Sequence, residues 1–456
     1  MRWLAGMIFI LIVGMVFQLG LLVYAMYVLL FLQLINRMIS SRWIRCVSAV
    51  RSCDREKVEI NNTIEITVTL RNEGNLPIIW LLVEDLLPHD ALAHRPPRLE
   101  VNGRRMAITY LGAGHEKEIR YRLGFKQRGY YQIGPMVIET GDLFGLHRRF
   151  RVVSDPRFIL VLPKITTMQG YDLMSRRPVG EVRVTHRLFE DPTRINGIRR
   201  YSMGDPMNRI HWHATARTGT LHSKVFEPSS VVGLTLLFDF HVNGYPGSFA
   251  EFHSELAVSL AVSLAYSVQT MGQPLGFISN GRDAVDRIAV NDREIDYRNR
   301  TTAFRQASMR TSSERLRPVT IETRRGSAQF TRVREMLGRL ELTDGMEFHQ
   351  LVGEVISQMP RDASVAAIVS SVSTKSALAL SELKRVGFAV ICFVVTGEET
   401  VFSDSARKLI AEGIETRWLE NEEGIPEICS SQMMRSVGRF RPKPGSSRMA
   451  ENVWRG

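Results

Sequence analysis

Between Leu4 and Leu32 the chain runs for 29 residues without a charge, with Gln18 as its lone side-chain amide. As a helix that stretch is about 43 Å long, against a hydrocarbon core of about 30 Å. It crosses a bilayer once with tilt to spare or, extended past Leu34 and Ile35, folds as a short hairpin. Arg2 ahead of the run is also a feature of secretory signals, but the run is too long for one and lacks a small-residue cleavage site before Arg37. Arg37, Arg42, Arg45, Arg51 and Arg55 follow it, while only Arg2 precedes it. That bias puts everything after residue 36 on the cytoplasmic side. Residues 1–36 thus read as a transmembrane segment and 37–55 as a basic juxtamembrane linker. Cys46 and Cys53 flank the exit at a spacing that matches no common zinc pattern, so free thiols are expected.

The other long-range features exclude several classes. At 456 residues, 44% apolar and 23% charged, the chain has the composition of about three globular units rather than of a disordered protein. Four cysteines rule out a disulfide scaffold. Long apolar stretches are confined to one end, which rules out a multi-span transporter. The net charge of +12 favours anionic surfaces without making the chain a nucleic-acid protein.

Residues 56–160 read as an antiparallel β-sandwich. Ile64, Ile66, Val68 and Leu70 alternate with Glu65, Thr67 and Thr69, the period of a strand with one buried face. The turn residues 72–75 precede a second apolar run at 78–83, and further strands are expected at 106–111, 117–125 and 130–139. A connecting segment over 161–228 leads to a strand–helix alternation over 229–425, the pattern of an open, mostly parallel α/β sheet with helices on both faces. Apolar strands at 231–238, 274–279, 365–369 and 389–395 are covered on both sides. Ser248 with Glu251, Ser373 and Ser403 are the expected helix starts, and Gly272, Gly387 and Gly413 the stops. The stretch 298–325 carries eight arginines against two glutamates and breaks the pattern as an exposed excursion. Residues 426–456 read as a basic, disordered tail.

The most specific stretch joins the two halves: Tyr201, Gly204, Asp205, Arg209, Trp212, Arg217, Lys224 and Glu227 in the pattern Tyr-x-x-Gly-Asp-x-x-x-Arg-Ile-x-Trp-x-x-x-Ala-Arg-Thr. With Arg128-Gly-Tyr-Tyr-Gln-Ile-Gly-Pro135 and Gly141-Asp-Leu-Phe-Gly-Leu146, it resembles the bacterial family named only as domain of unknown function 58. The resemblance implies an inner-membrane protein with a C-terminal domain similar to von Willebrand factor type A, often paired with MoxR-type AAA ATPases in assembling or maturing other proteins. Physically, Gly204-Asp205-Pro206 is turn chemistry, the cations offer charge-assisted donors, and Trp212 is a large apolar anchor. An interdomain clasp, with Asp205 and Glu227 paired to these cations and Trp212 filling a gap, is the leading reading, a partner-docking surface the second and a catalytic site the third.

Three further groups bear on chemistry. His211 and His213, two apart, would share one face of a strand, with His222 as a third nitrogen, but no cysteine or carboxylate completes a zinc set. Type A domains often hold a divalent ion on an Asp-x-Ser-x-Ser run. Here the run is Asp239-Phe-His241-Val-Asn243, and the later strand ends in Ser370-Ser371 rather than an acid. A nitrogen at His241 suits magnesium poorly, so the run reads as a degenerate site, with Asp239 held by backbone amides and no cofactor expected. Cys392, inside an apolar strand, is a buried, inert thiol. The expected function is a non-enzymatic scaffold for protein partners. The alternatives are an α/β hydrolase, though Gly-x-Ser-x-Gly, Walker and His-Glu-x-x-His motifs are missing, and an Arg-rich binder of nucleic acid or anionic lipid.

Overall fold

A computed structural model describes residues 2–141, 148–168, 190–201, 207, 210–228, 233–247, 249–286, 317–360 and 364–429. The chain divides into two compact units. One comprises Met1–Lys164 with Arg282–Ser313 and Glu335–Glu341; the other comprises Ile165–Gly281, Glu314–Arg334 and Leu342–Gly456.

The first unit opens with helices α1 (Arg2–Val16) and α2 (Gly20–Cys46). They part at Gln18, whose φ of 55° places the lone amide of the apolar run at the turn. Gly14 permits close approach of the two helices, since a Cβ there would lie 2.7 Å from Leu22 Cδ2. Among the described residues, α2 is the one helix long and apolar enough to cross a membrane, and α1 is apolar but shorter. Beyond Ile35 the helix continues, burying Asn36, Ser40, Trp43 and Ile44 along one stripe. Trp43 and Ile44 belong to the core of the following β-structure. Arg151 closes the helix end by donating to the carbonyls of Ile44 and Arg45 at 3.2 and 3.1 Å.

In place of the linker expected at 37–55, α2 runs directly into strand β1 (Val47–Cys53). The reason is local: apolar side chains at 43, 44 and 47 reach the sandwich core, so the helix end is fastened to it.

Strands β2 (Lys57–Glu59), β3 (Thr63–Asn72), β4 (Ile78–Asp85), β5 (Leu99–Gly103), β6 (Met106–Leu111), β7 (Glu116–Phe125), β8 (Gly129–Ile133), β9 (Met136–Gly141), β10 (Arg148–Ser154) and β11 (Arg157–Leu162) complete it, with the short helix α3 (His89–Ala93) between β4 and β5. They form sheets ordered β1-β3-β7-β5, β10-β9-β4-β6 and β2-β11-β8, antiparallel except for β2 beside β11. Ile64, Ile66, Val68 and Leu70 are buried as their alternation requires. The single strand expected at 130–139 is divided at Gly134-Pro135, so β8 and β9 serve different sheets. Gly134 takes φ +92°, and a Cβ there would lie 2.5 Å from the Arg51 guanidinium. The short pair β16 (Arg282–Asp283) and β18 (Leu340–Glu341) also belongs to this unit.

The second unit begins with a two-stranded ribbon, β12 (Glu190–Arg200) and β13 (His222–Pro228), enclosing helix α4 (Trp212–Thr218). Its sheet comprises β14 (Leu234–Phe238), β15 (Leu275–Ser279), β17 (Val319–Arg324), β19 (Ser364–Val369), β20 (Val390–Val395) and β21 (Glu415–Leu419), in the order β17-β15-β14-β19-β20-β21. All neighbours are parallel except β17 against β15. The helices are α5 (Ala250–Thr270), α6 (Ser327–Arg339, whose residues from Glu335 on belong to the first unit), α7 (Phe348–Val355), α8 (Thr374–Val386) and α9 (Glu399–Ala411).

Every residue of β14 is buried, so both faces of the sheet are covered. Leu237, Ala367 and Cys392 on one face share a core with Phe348, Leu351, Leu380 and Leu383. Cys392 is buried there, its thiol pushed above the usual range by desolvation.

Several expected boundaries move. Ser373 does cap α8, accepting from Ser376 N at 3.1 Å, and Gly387 closes it. Ser248, however, lies outside the described residues and α5 takes Phe249 as its N-cap. Helix α9 starts at Glu399, which leaves Ser403 inside it. Of the Arg-rich stretch, 298–316 lies outside the described residues, and its end forms the edge strand β17 rather than an excursion. Residues 426–429 are packed, with Ile428 and Cys429 fully buried, where a disordered tail was expected. Residues 430–456 are outside the description.

Candidate functional site

In an open parallel sheet, ligands bind beyond the carboxyl ends of the strands, where successive crossovers leave in opposite directions. From β14 the chain goes to β15 on one side and later fills β19, β20 and β21 on the other. The switch point is therefore between β14 and β19, and the residues just beyond those strands are Asp239 and Ser370.

Asp239 is almost fully buried. Its Oδ1 accepts from Asn280 Nδ2 at 2.8 Å and from His241 N at 3.3 Å. The expectation that backbone amides hold it is met in part: one amide contributes, but the shorter bond comes from a side chain that sequence reasoning missed. Asn280 also accepts from Phe240 N at 2.7 Å and donates to Met346 O at 3.0 Å, so one amide ties three segments together. The available signal was its place in Ser279-Asn280-Gly281, a polar turn directly after a buried strand beside β14. Tyr245 Oη donates to the Asp239 carbonyl at 3.0 Å. Gly244 fits because Ser370 donates to its carbonyl and a Cβ at 244 would lie 2.9 Å from Ser370 Oγ.

The donor set does not fit a resident magnesium ion. The Ser370 hydroxyl is turned to Gly244 O, His241 Nδ1 accepts from Asn243 N at 3.1 Å, and among the described residues no three His, Cys, Asp or Glu side chains gather as ligands. Ser370 and His241 are likewise committed to backbone partners rather than to each other, so they do not form a nucleophile–base pair. In the loop after β14 and the start of α5, Val242, Phe249 and Phe252 stand exposed at 46%, 67% and 51%. Phe249 and Phe252 flank His253 with ring centroids 6.4 and 5.5 Å from it. Burial lowers the His253 pKa.

Burial pushes the Asp239 carboxyl up to about 6 from 3.8, against the pull of Asn280 and His241. A folded-state value above the unfolded one contributes stability that is complete below 3.8 and lost as pH rises through about 6. Asp239→Asn keeps an acceptor for Asn280 and removes the charge. Chemical denaturation is expected to find it more stable than the parent by about 2 kcal/mol at about pH 8, with the gap closing toward about pH 4.

The motif that joins the two halves lies on the ribbon. Gly204, Asp205 and Arg209 lie outside the described residues, and Glu227 is described only as backbone in β13. Tyr201 is half-buried at the end of β12, and Tyr201 N donates to Leu221 O at 2.9 Å. Trp212 is 66% exposed at the start of α4. Arg217 is exposed and Lys224 half-buried, and neither forms an ion pair among the described residues.

His211 and His213 do not share a strand face. His211 is the N-cap of α4, its Nδ1 accepting from Ala214 N at 3.0 Å, and His213 is inside the helix. His222 is turned to Thr220 O at 2.8 Å. The short turn between Ile210 and α4 wins over the alternation that suggested a strand.

Comparison with known proteins now bears on this region. Residues 197–294, which hold most of the ribbon, β14, α5, β15, Asp239 and Asn280, match the family described as "Protein of unknown function DUF58". Over that stretch, about a fifth of the chain, the protein is similar to DUF58. The "Uncharacterized protein YeaD" of Bacillus subtilis is 24% identical over 241 residues, covering 53% of this chain and 57% of YeaD. The chain thus spans little more than half the length of that curated relative. Among solved structures, the CARDB domain of the PF1109 protein from Pyrococcus furiosus is 15% identical over 25% of this chain and 91% of its own, with a TM-score of 0.18. The ASH/PapD-like domain 7 of human CEP192 is 10% identical over 24% and 81%, with a TM-score of 0.16. Scores that low carry nothing further about the fold.

Proposed function

We infer that the chain is a membrane-anchored, non-enzymatic adaptor that docks protein partners on the carboxyl edge of its six-stranded sheet. The observation that carries this reading is the exposure of Val242, in the loop after β14, and of Phe249 and Phe252, at the start of α5. The polar groups there are spent on holding the loop rather than aligned for chemistry. Exposed aromatic side chains beside polar groups are the usual anchors of protein interfaces. The strand order and the ligand-competent switch point support a von Willebrand factor type A-like reading of this unit, and the family resemblance makes a MoxR-type AAA ATPase the first partner class to try.

The inner-membrane, cytoplasm-facing placement is supported by Arg37, Arg42 and Arg45, exposed on α2 beyond its apolar stretch. Arg51 drops out of that count, since its side chain is buried against Asp85.

The test uses the full chain captured from detergent-solubilised bacterial membranes. A protein partner recovered in near-equal amount with the parent is expected to be lost with Phe249→Asp/Phe252→Asp and kept with Leu378→Asp, an exposed position on α8. Equal recovery with both variants, or turnover of a small molecule that Asp239→Asn abolishes, contradicts the reading.

A further inference from the structure

We propose that the arm formed by β12, α4 and β13 is a second membrane contact, one that rests on anionic lipid headgroups. The register places Ile198 opposite Lys224 and Arg200 opposite His222, and directly paired residues share a face of the ribbon. That face therefore carries Ile198, Arg200, His222 and Lys224. On the opposite face Ser223 and, bridged to it, Ile210 are buried, while Arg199 and Leu221 are exposed. Outside the ribbon, Arg217 is exposed on α4. Arg200, Arg217 and Lys224 have no ion-pair partner among the described residues, and those described between 197 and 224 include no Asp or Glu. Four large apolar side chains of the arm are exposed as well: Ile198, opposite Lys224, at 47%, Met207 at 77%, Trp212 at 66% and Leu221 at 46%.

Exposed tryptophan and long aliphatic side chains together with Arg and Lys are the chemistry of a bilayer interface. A bilayer accepts such side chains singly, with no complementary cavity, and anionic headgroups neutralise the cations. Helix α2 is long and apolar enough to hold the chain in a membrane, so the arm meets the lipid at the high effective concentration of a tethered group.

The experiment reconstitutes the full chain in lipid nanodiscs whose acyl chains carry bromine, made of phosphatidylcholine alone or enriched in phosphatidylglycerol. The emission of Trp212 is obtained as the difference between the parent and Trp212→Phe. It is expected to be quenched several-fold more in the anionic discs than in the neutral ones. Arg200→Gln/Lys224→Gln is expected to lower the docked-to-free ratio about 25-fold, about five-fold per cation, and to return quenching to the neutral level with an unchanged far-ultraviolet spectrum. Equal quenching in both lipids, or quenching that survives the double substitution, overturns the proposal. So does a Trp212 response to soluble polyglutamate but not to phosphatidylglycerol, which would assign the arm to an acidic protein.

Discussion

Replacing Asp85 with alanine is expected to unfold the amino-terminal sandwich. Arg51 grips this carboxylate with two nitrogens, Nε at 2.9 Å from Oδ2 and Nη2 on Oδ1, and Tyr121 Oη donates to Oδ2 at 2.6 Å. The Arg51 and Asp85 side chains are 0% and 2% exposed. Arg51 also donates to the carbonyls of Ile133 and Asp155 at 2.9 and 3.2 Å, so it joins β1 to both ends of the β8–β11 connection. Burial pushes the Asp85 carboxyl up, while Arg51 and Tyr121 pull it back.

Removing the carboxylate leaves a guanidinium in the core without its counter-charge, which costs about 3–5 kcal/mol. That is a large share of the roughly 5–15 kcal/mol by which a domain is stable. Urea denaturation of the full chain in detergent should show it. Removing Glu118 from its exposed pair with Arg120 should leave the midpoint unmoved. Arg51→Met/Asp85→Leu should recover much of the loss, because the damage comes from the orphaned charge rather than from the absent contact. A loss in the double variant as deep as in Asp85→Ala would refute that account.

The second large effect is expected at Asn280. Its alanine variant strands Phe240 N, Met346 O and the Asp239 carboxyl at once. Each orphaned buried group costs about 1–3 kcal/mol, which gives about 4 kcal/mol with partial relaxation. Asn280→Asp keeps the acceptor for Phe240 N but sets a second carboxyl within hydrogen-bond distance of Asp239. It should therefore be poorly tolerated near neutrality and recover in acid as one of the pair takes a proton. Denaturation midpoints across pH distinguish the two variants. A flat pH response in Asn280→Asp would mean that Asn280 and Asp239 do not share a site.

Much of this architecture is written in local patterns. The alternation from Ile64 to Leu70 and the all-apolar runs at 234–238 and 390–395 report how many faces of a strand are buried, and that is a one-dimensional signal. Asp239 was found the same way, as the first charge after a buried strand. Asn280, Arg51 and Asp85 were not legible, because what defines them is a partner 34 or 41 residues away, and neither spacing nor composition encodes it. The linker misreading has a similar cause. Arginines at 37, 42 and 45 suggested a solvated stretch, yet they occupy the outer side of a helix whose other side carries Asn36, Ser40, Trp43 and Ile44 into the protein. At the ribbon, the histidine spacing fitted a strand as well as a capped helical turn, and hydrogen bonding to Ala214 decided it.

The adaptor reading is tested most directly by a photo-crosslinking side chain placed at Phe252 in the full chain in bacterial membranes. The account predicts a discrete protein adduct there, weakened by Phe249→Ala, with none from the same probe at Leu378. No adduct at 252, or an equal one at 378, would contradict it.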